Sequence, residues 1–403
     1  MAVSGAYMAS PCTEPVVTAV AEKGLDEAWW TTAVGKLRGI VMFLRLRAAA
    51  AVCGGLVLLL ASGPSAEAAS GAAPVLVTAG GTHSAVLALD PAKQVWDPVR
   101  DPASVLWRFD PREVAAYADT QPAKTWVDGP NEAKMRSFKG QDYLLTVAGK
   151  GFAGVVKYPG KERYWASDTL TTSADAYAYN PHSIEMVPTP DGSAFDVVVA
   201  STGHGSAAPP SDRNVCLFPR SQGPTQTASS CQKLPQAHGL AWDAGRQRLW
   251  ALGGNQLVAY RVDRTVPATP KLKVDTALSV TVPWGAGHDL NWVPGQDRLW
   301  VATGTPVFQY DIGAGQWLGD PAYDGVSGQY PGWETVGTKV TAYGTKAIST
   351  DPATGQVVTA QGKVDELTDV AEVHFPEAQH QLKYDGAVWY FYKARWLRAE
   401  TAG

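Results

Sequence analysis

The sequence is short of the features that mark several common chemistries. It has four cysteines in 403 residues, with no cysteine–histidine spacing of the short zinc motifs. No glycine-rich phosphate loop, dinucleotide fingerprint or calcium-binding loop occurs. Ser183, Ser201 and Ser206 stand outside any nucleophile-elbow context. Lys and Arg number 34 against 38 Asp and Glu, a net charge of -4, so nothing resembles a basic nucleic-acid surface and no nucleic-acid partner is expected. Convincing long amphipathic helices are also missing. Without helical periodicity, the chain must build its core from strands.

What the sequence has in quantity is turn formers, 40 glycines and 28 prolines, and tryptophan, 15 residues. Near the N-terminus, Arg45 and Arg47 precede an apolar stretch over residues 48–61, followed by an Ala-x-Ala signal at residues 66–68. This reads as a secretory signal over residues 42–68, cleaved after Ala68. The apolar run is short for a membrane span, so no stable span is expected after cleavage. Residues 1–41 lie oddly ahead of it and read as an extension from a misassigned start, Met42 being the natural one. Cleavage removes Cys12 and Cys53. The remaining pair, Cys216 and Cys231, is expected to form a disulfide in an exported, extracellular chain.

The strongest internal signal is a repeat. AHGLAWDAGRQRLWALGG begins at Ala237 and GHDLNWVPGQDRLWVATG begins at Gly287, and the two align without a gap. Each reads as two alternating strands around a turn, with Trp242 matching Trp292 and Trp250 matching Trp300. A period near fifty residues of short strands predicts a β-propeller over residues 74–397, with six blades and seven as the alternative. A β-sandwich or β-helix is the weaker fit. The first blade begins with three strands and lacks its inner one; YFYKARWL near the C-terminus supplies it, closing the ring.

Such closure gives the histidines a meaning. His182, His238 and His288 each open the innermost strand of a blade, so three positions distant in sequence converge at the axis. His83 and His204 fall in loops that open at the same end. His374 belongs to a third strand, and His380 has no assigned place. Three imidazoles with an open position suit a divalent Mn, Zn or Fe ion; neutral imidazoles without metal equally suit proton transfer. No organic cofactor is indicated. Lys134 and Arg136 share one side of an inner strand, as do Lys393 and Arg395. Facing the axis they would clamp a carboxylate, or they would form structural salt bridges. Tyr392 and Tyr384 are acid or stacking candidates, and Glu185 and Asp289 are the nearby acids.

The strands NPHSIEMVP, AHGLAWDAGRQRLWALGG, GHDLNWVPGQDRLWVATG and YKARW resemble the DUF6528-type family of secreted bacterial proteins, whose activity is unknown. The resemblance implies export and a propeller-like fold. In architecture the chain is also similar, more distantly, to β-propeller polysaccharide lyases, some of which hold a divalent metal with axial histidines. These observations lead to an expected function: a secreted carbohydrate-active lyase that cleaves an acidic, uronate-containing glycan by β-elimination. In it, His182, His238 or His288 removes a proton, Tyr392 or a second histidine protonates the leaving oxygen, and Arg136, Arg395 or a metal neutralises the carboxylate. His83, His204, Lys134 and Lys393 would contact substrate. The competing readings are a non-catalytic propeller that binds glycan or protein, and a glycoside hydrolase.

Overall fold

The computed structural model describes residues 72–168, 179–203, 213–220, 227–283, 285–304, 307–318, 344–364, 366–374 and 376–399. The signal over 42–68, the extension before it, His204 and Ser206 lie outside these residues, as do residues 319–343, where a seventh blade would have to fit.

Alternation of side chains along short strands produces six antiparallel sheets arranged as a six-bladed β-propeller. Blade 2 comprises Pro130–Phe138, Gln141–Ala148, Ala153–Lys157 and Arg163–Ser167 from axis to rim. Blade 3 comprises Pro181–Pro188, Phe195–Ser201, Val215–Phe218 and Ser230–Gln232, and blade 4 Gly239–Asp243, Arg248–Leu252, Gln256–Asp263 and Lys271–Thr281. Blade 5 comprises Gly287–Trp292, Arg298–Thr303, Val307–Asp311 and Gln316–Leu318. Blade 6 starts with Thr345–Thr350, Val357–Gln361, Val370–His374 and Ala378–Tyr384. Its outer strand also takes up the short segment Val95–Trp96 in parallel, a pairing that no sequence periodicity announces.

Blade 1 is closed as the sequence predicts. Phe391–Trp396 lies inside Val75–Ala79, with Val75 opposite Trp396 and Leu76 opposite Arg395. Ala85–Leu89 and Val105–Phe109 complete that blade. The two ends of the domain thus share one sheet, and neither leaves its inner edge unpaired.

Each blade is apolar on both faces, and a hydrophobic cluster fills every seam between neighbours. Leu240 and Trp242 face blade 3 across Val198 and Leu217. Their neighbour Ala241 joins Trp250, Leu290 and Trp292 between blades 4 and 5. The repeated tryptophans therefore serve as seam core. Trp250 and Trp300 are fully buried, and truncating either to alanine should cost about 3–5 kcal/mol. Cys216 and Cys231 sit directly opposite each other on the third and outer strands of blade 3 and are disulfide-bonded. Among the described residues, no helix is long and apolar enough to cross a membrane.

Candidate functional site: a mouth ring above a charged plug

The inner strands enter the axis through a shared irregularity. In blades 2, 3, 5, 6 and 1 the pairing of the inner strand slips near its start, leaving Asn131, His182, His288, Lys346 and Tyr392 in the bulges. In blade 4 the His238 amide donates to Leu252 O, the carbonyl of the residue already paired with Gly239. Two residues before each histidine the backbone turns left-handed, at Asn180 (φ 46), Gln236 (φ 56) and Ala286 (φ 48). Gly344 (φ 72) stands in the same relation to Lys346. A left-handed residue followed by a bulge re-aims the next side chain, and the repetition sets these side chains in one ring at the mouth of the axis.

The three histidines meet as the sequence predicts. The His182 and His238 ring centroids are 4.4 Å apart, and those of His238 and His288 are 5.0 Å apart. The Tyr392 ring lies 5.6 Å from His182. His182 and His288 are buried and His238 is half-buried, so His238 is the member most open to solvent. The Nδ1–H groups of His182 and His238 donate to the carbonyls of Asn180 (2.8 Å) and Gln236 (3.0 Å). That tautomer leaves each Nε2 as an acceptor. His288 presents the opposite atom. Its Nε2 accepts from Lys346 Nζ at 3.0 Å, leaving a buried Nδ1–H without a partner among the described residues. The buried Tyr392 hydroxyl is likewise without one.

Burial sets the charges of this ring. It lowers His182 to about 4 against the pull of the Asn180 carbonyl, with Lys393 and Lys346 lowering it further. Burial and then Lys346 lower His288 to about 3, while burial and the two flanking imidazoles hold His238 well below its ordinary value. All three are neutral at pH 7. Burial also brings Lys346 down to about 8 despite Glu366, and raises the Tyr392 hydroxyl well above its usual range.

Beneath the ring, the axis is plugged. Lys393 Nζ on blade 1 reaches Glu132 on blade 2 and Asp289 on blade 5, both at 3.0 Å. Arg395 forks onto Glu132 at 2.9 and 3.0 Å and touches Asp289 at 2.6 Å. Lys134 donates to Ser183 and to Leu240 O, and Arg136 forks onto Glu185 at 2.9 and 2.7 Å. Bonds in this layer thus join non-adjacent blades, blade 1 to blade 5 and blade 2 to blade 4. Burial alone would raise the Glu132 carboxyl, but Arg395, Lys393 and Lys134 hold it well below the usual carboxylate range. Burial brings Lys134 to about 8.

The four cations expected to clamp a substrate carboxylate therefore take the other course: they are buried and paired with Glu132, Glu185 and Asp289. Direct substrate contact by Lys134, Arg136, Lys393 or Arg395 is not what this geometry offers. A metal centre on His182, His238 and His288 does not fit the ring as it stands, because Lys346 occupies the His288 acceptor. Among the described residues, no group of three or more His, Cys, Asp or Glu side chains is disposed to hold a metal ion. His83 lies at the same end but on the rim, stacked on Tyr384. His374 pairs with Thr359 and Glu377, and His380 binds Lys93 O and stacks on Trp96; both are structural.

Lys346 is the residue that sequence reading missed. Its only signal was register: in YGTKAIST the lysine follows a left-handed residue by two, as the histidines do. A concavity of about 380 Å³ lies at the opposite end between the turns at Asp243–Arg246 and Gly295–Asp297. Its Arg246 is already forked onto Asp297 and bound to Asp243.

No family model matches the chain, and no curated protein matches it. Among solved structures it is similar to a Dos1 propeller, at 14% identity over 75% of this chain and 64% of that one, with a TM-score of 0.39. It is similar also to Sqt1 of Saccharomyces cerevisiae, at 10% identity over 70% of this chain and 65% of that one, with a TM-score of 0.39. The chain thus spans just under two thirds of either structure.

Proposed function

We propose that the mouth ring is the functional site and that it acts as a lyase on a uronate residue of an acidic extracellular glycan. The observation that carries this reading is the set of polar atoms that have no partner among the described residues. Two imidazole acceptors, one imidazole N–H and one phenol hydroxyl converge where every neighbouring charge is paired, a pattern suited to a hydroxylated ligand. Among the described residues the plug below sets four cations against three carboxylates, a surplus of one positive charge that favours an anionic ligand, while Lys346 is balanced by Glu366 at 3.6 Å.

In the proposed reaction, the C5 proton passes to Nε2 of His238, the most open of the three histidines. The C–H electron pair becomes the C4=C5 double bond. The C4–O bond breaks with its electrons on oxygen, which takes a proton from the Tyr392 hydroxyl. His238 is a weak base in the free protein, and a bound carboxylate would raise its proton affinity. Lys346 and the surplus positive charge of the plug replace Arg136 and Arg395 as the neutralising groups. No step is routed through a metal. The disulfide supports the proposed extracellular location, and likeness to the DUF6528-type family rests on the quoted strands.

Incubation with polygalacturonate and glucuronate-containing glycans, read by ultraviolet absorbance of the unsaturated product, tests this. Product is expected from the wild type, with kcat reduced roughly 10²–10⁴-fold in Tyr392→Phe. Reversible binding without product would replace the lyase by a glycan-binding propeller.

A further inference from the structure

We infer that the exposed stack of His83 on Tyr384, backed by Trp389, is a carbohydrate platform that holds the glycan chain beyond the residue in the mouth ring. This rests on the proposed reading of that ring and names its neighbouring subsite.

The platform is built from two loops. His83 ends the short turn Gly81–His83 between the second and third strands of blade 1. Tyr384 ends the outer strand of blade 6, and Trp389 lies in the crossing from there to the closing strand. The His83 and Tyr384 rings are stacked with centroids 3.6 Å apart and planes 10° apart. Trp389 meets both rings edge-on, at 6.0 and 5.3 Å. Its indole N–H donates to Gly80 O at 2.8 Å, which fixes the base of the stack.

Closure of the propeller explains only part of this cluster. Trp389 is buried in the seam between blades 6 and 1, and Tyr384 packs against the same seam. His83 lies outside it. The imidazole is exposed, and no side-chain hydrogen bond ties it to the described residues. An exposed flat ring with polar nitrogens at its edge offers a sugar both an apolar face and hydrogen-bonding atoms.

Position links the platform to the ring. Gly80 N donates to Tyr390 O at 3.1 Å, and Tyr390, itself 36% exposed, stands two residues before Tyr392. Two residues of extended chain cover about 7 Å, a distance comparable to one monosaccharide. A chain with one uronate at Tyr392 would therefore lay the next sugars over Tyr390 and the His83–Tyr384 stack. Asp128, ion-paired with Lys150 at 3.0 Å, supplies further polar groups beside the turn through its carbonyl, which accepts from Gly81 N.

The test compares the wild type with His83→Ala on oligogalacturonates and oligoglucuronates from disaccharide to hexasaccharide, by product formation and by calorimetric binding. The platform predicts that affinity or kcat/KM rises with length in the wild type. It predicts that His83→Ala loses about tenfold on the hexasaccharide, the equivalent of 1.4 kcal/mol, and little on the disaccharide. Product formed with the same length profile in both proteins would remove the platform and keep the lyase. Length-dependent binding weakened by His83→Ala, but without product, would keep the platform and remove the lyase. Failure of every oligouronide to bind would overturn the platform as stated.

Discussion

Two layers of the same six strands meet at the propeller axis, and they differ in how their polar groups are used. In the plug, Glu132 bridges Lys393 and Arg395, Asp289 receives both from across the axis, and Glu185 holds Arg136. In the mouth ring directly above, Tyr392 and the Nδ1 of His288 have no partner among the described residues. Leaving a buried donor unpaired costs roughly 1–3 kcal/mol. Under the proposed function these open donors are where the ligand binds, one step along each strand from the paired layer.

The contrast breaks most visibly at Glu132. Glu132→Gln leaves Lys393 and Arg395 buried without their shared carboxylate, and should cost about 3–5 kcal/mol in urea unfolding. An effect under 1 kcal/mol would mean that the plug is not the structural layer. Acid distinguishes the layers next. His182 has a folded value of about 4, below the ordinary 6.5. Between those values the unfolded chain binds more protons, so stability falls as pH drops from 6.5 towards 4, by about 3 kcal/mol for this group. Glu132, held well below the usual range, keeps its charge over that interval. Unfolding midpoints that stay level from pH 7 to 4 would contradict this order of events.

Smaller effects sharpen the same comparison. Lys346→Met leaves the buried His288 Nε2 without its donor and Glu366 without its ion-pair partner at 3.6 Å, and should cost about 1–3 kcal/mol while reducing turnover. A loss well above about 3 kcal/mol would place Lys346 with the plug. Tyr392→Phe removes a hydroxyl that has no partner among the described residues and should change stability by less than about 1 kcal/mol, despite the large effect on kcat that the proposed function predicts. Thermal melting of the two variants side by side decides both.

The architecture was largely legible because its signals are local. Alternation and turn residues mark the strands, the fifty-residue repeat marks blades 4 and 5, and the unpaired first blade calls for a partner that the C-terminal strand supplies. Convergence of His182, His238 and His288 followed from their equal positions in successive blades. The fate of Lys134, Arg136, Lys393 and Arg395 was not legible in the same way. Alternation places each pair on one side of a strand, but whether a carboxylate from a non-adjacent blade reaches across the axis depends on closed-ring geometry. Lys346 escaped because no histidine marks its strand, and the parallel pairing of Val95–Trp96 because two residues carry no periodicity.

The most direct test of the central claim is ¹⁵N NMR of the imidazoles during titration with an oligogalacturonate at pH 7. The account predicts neutral His182 and His238 carrying their protons on Nδ1, with their Nε2 resonances moving as ligand is added while those of His374 and His380 stay fixed. Mouth-ring resonances that remain unmoved at saturating ligand, with binding verified independently, would contradict it.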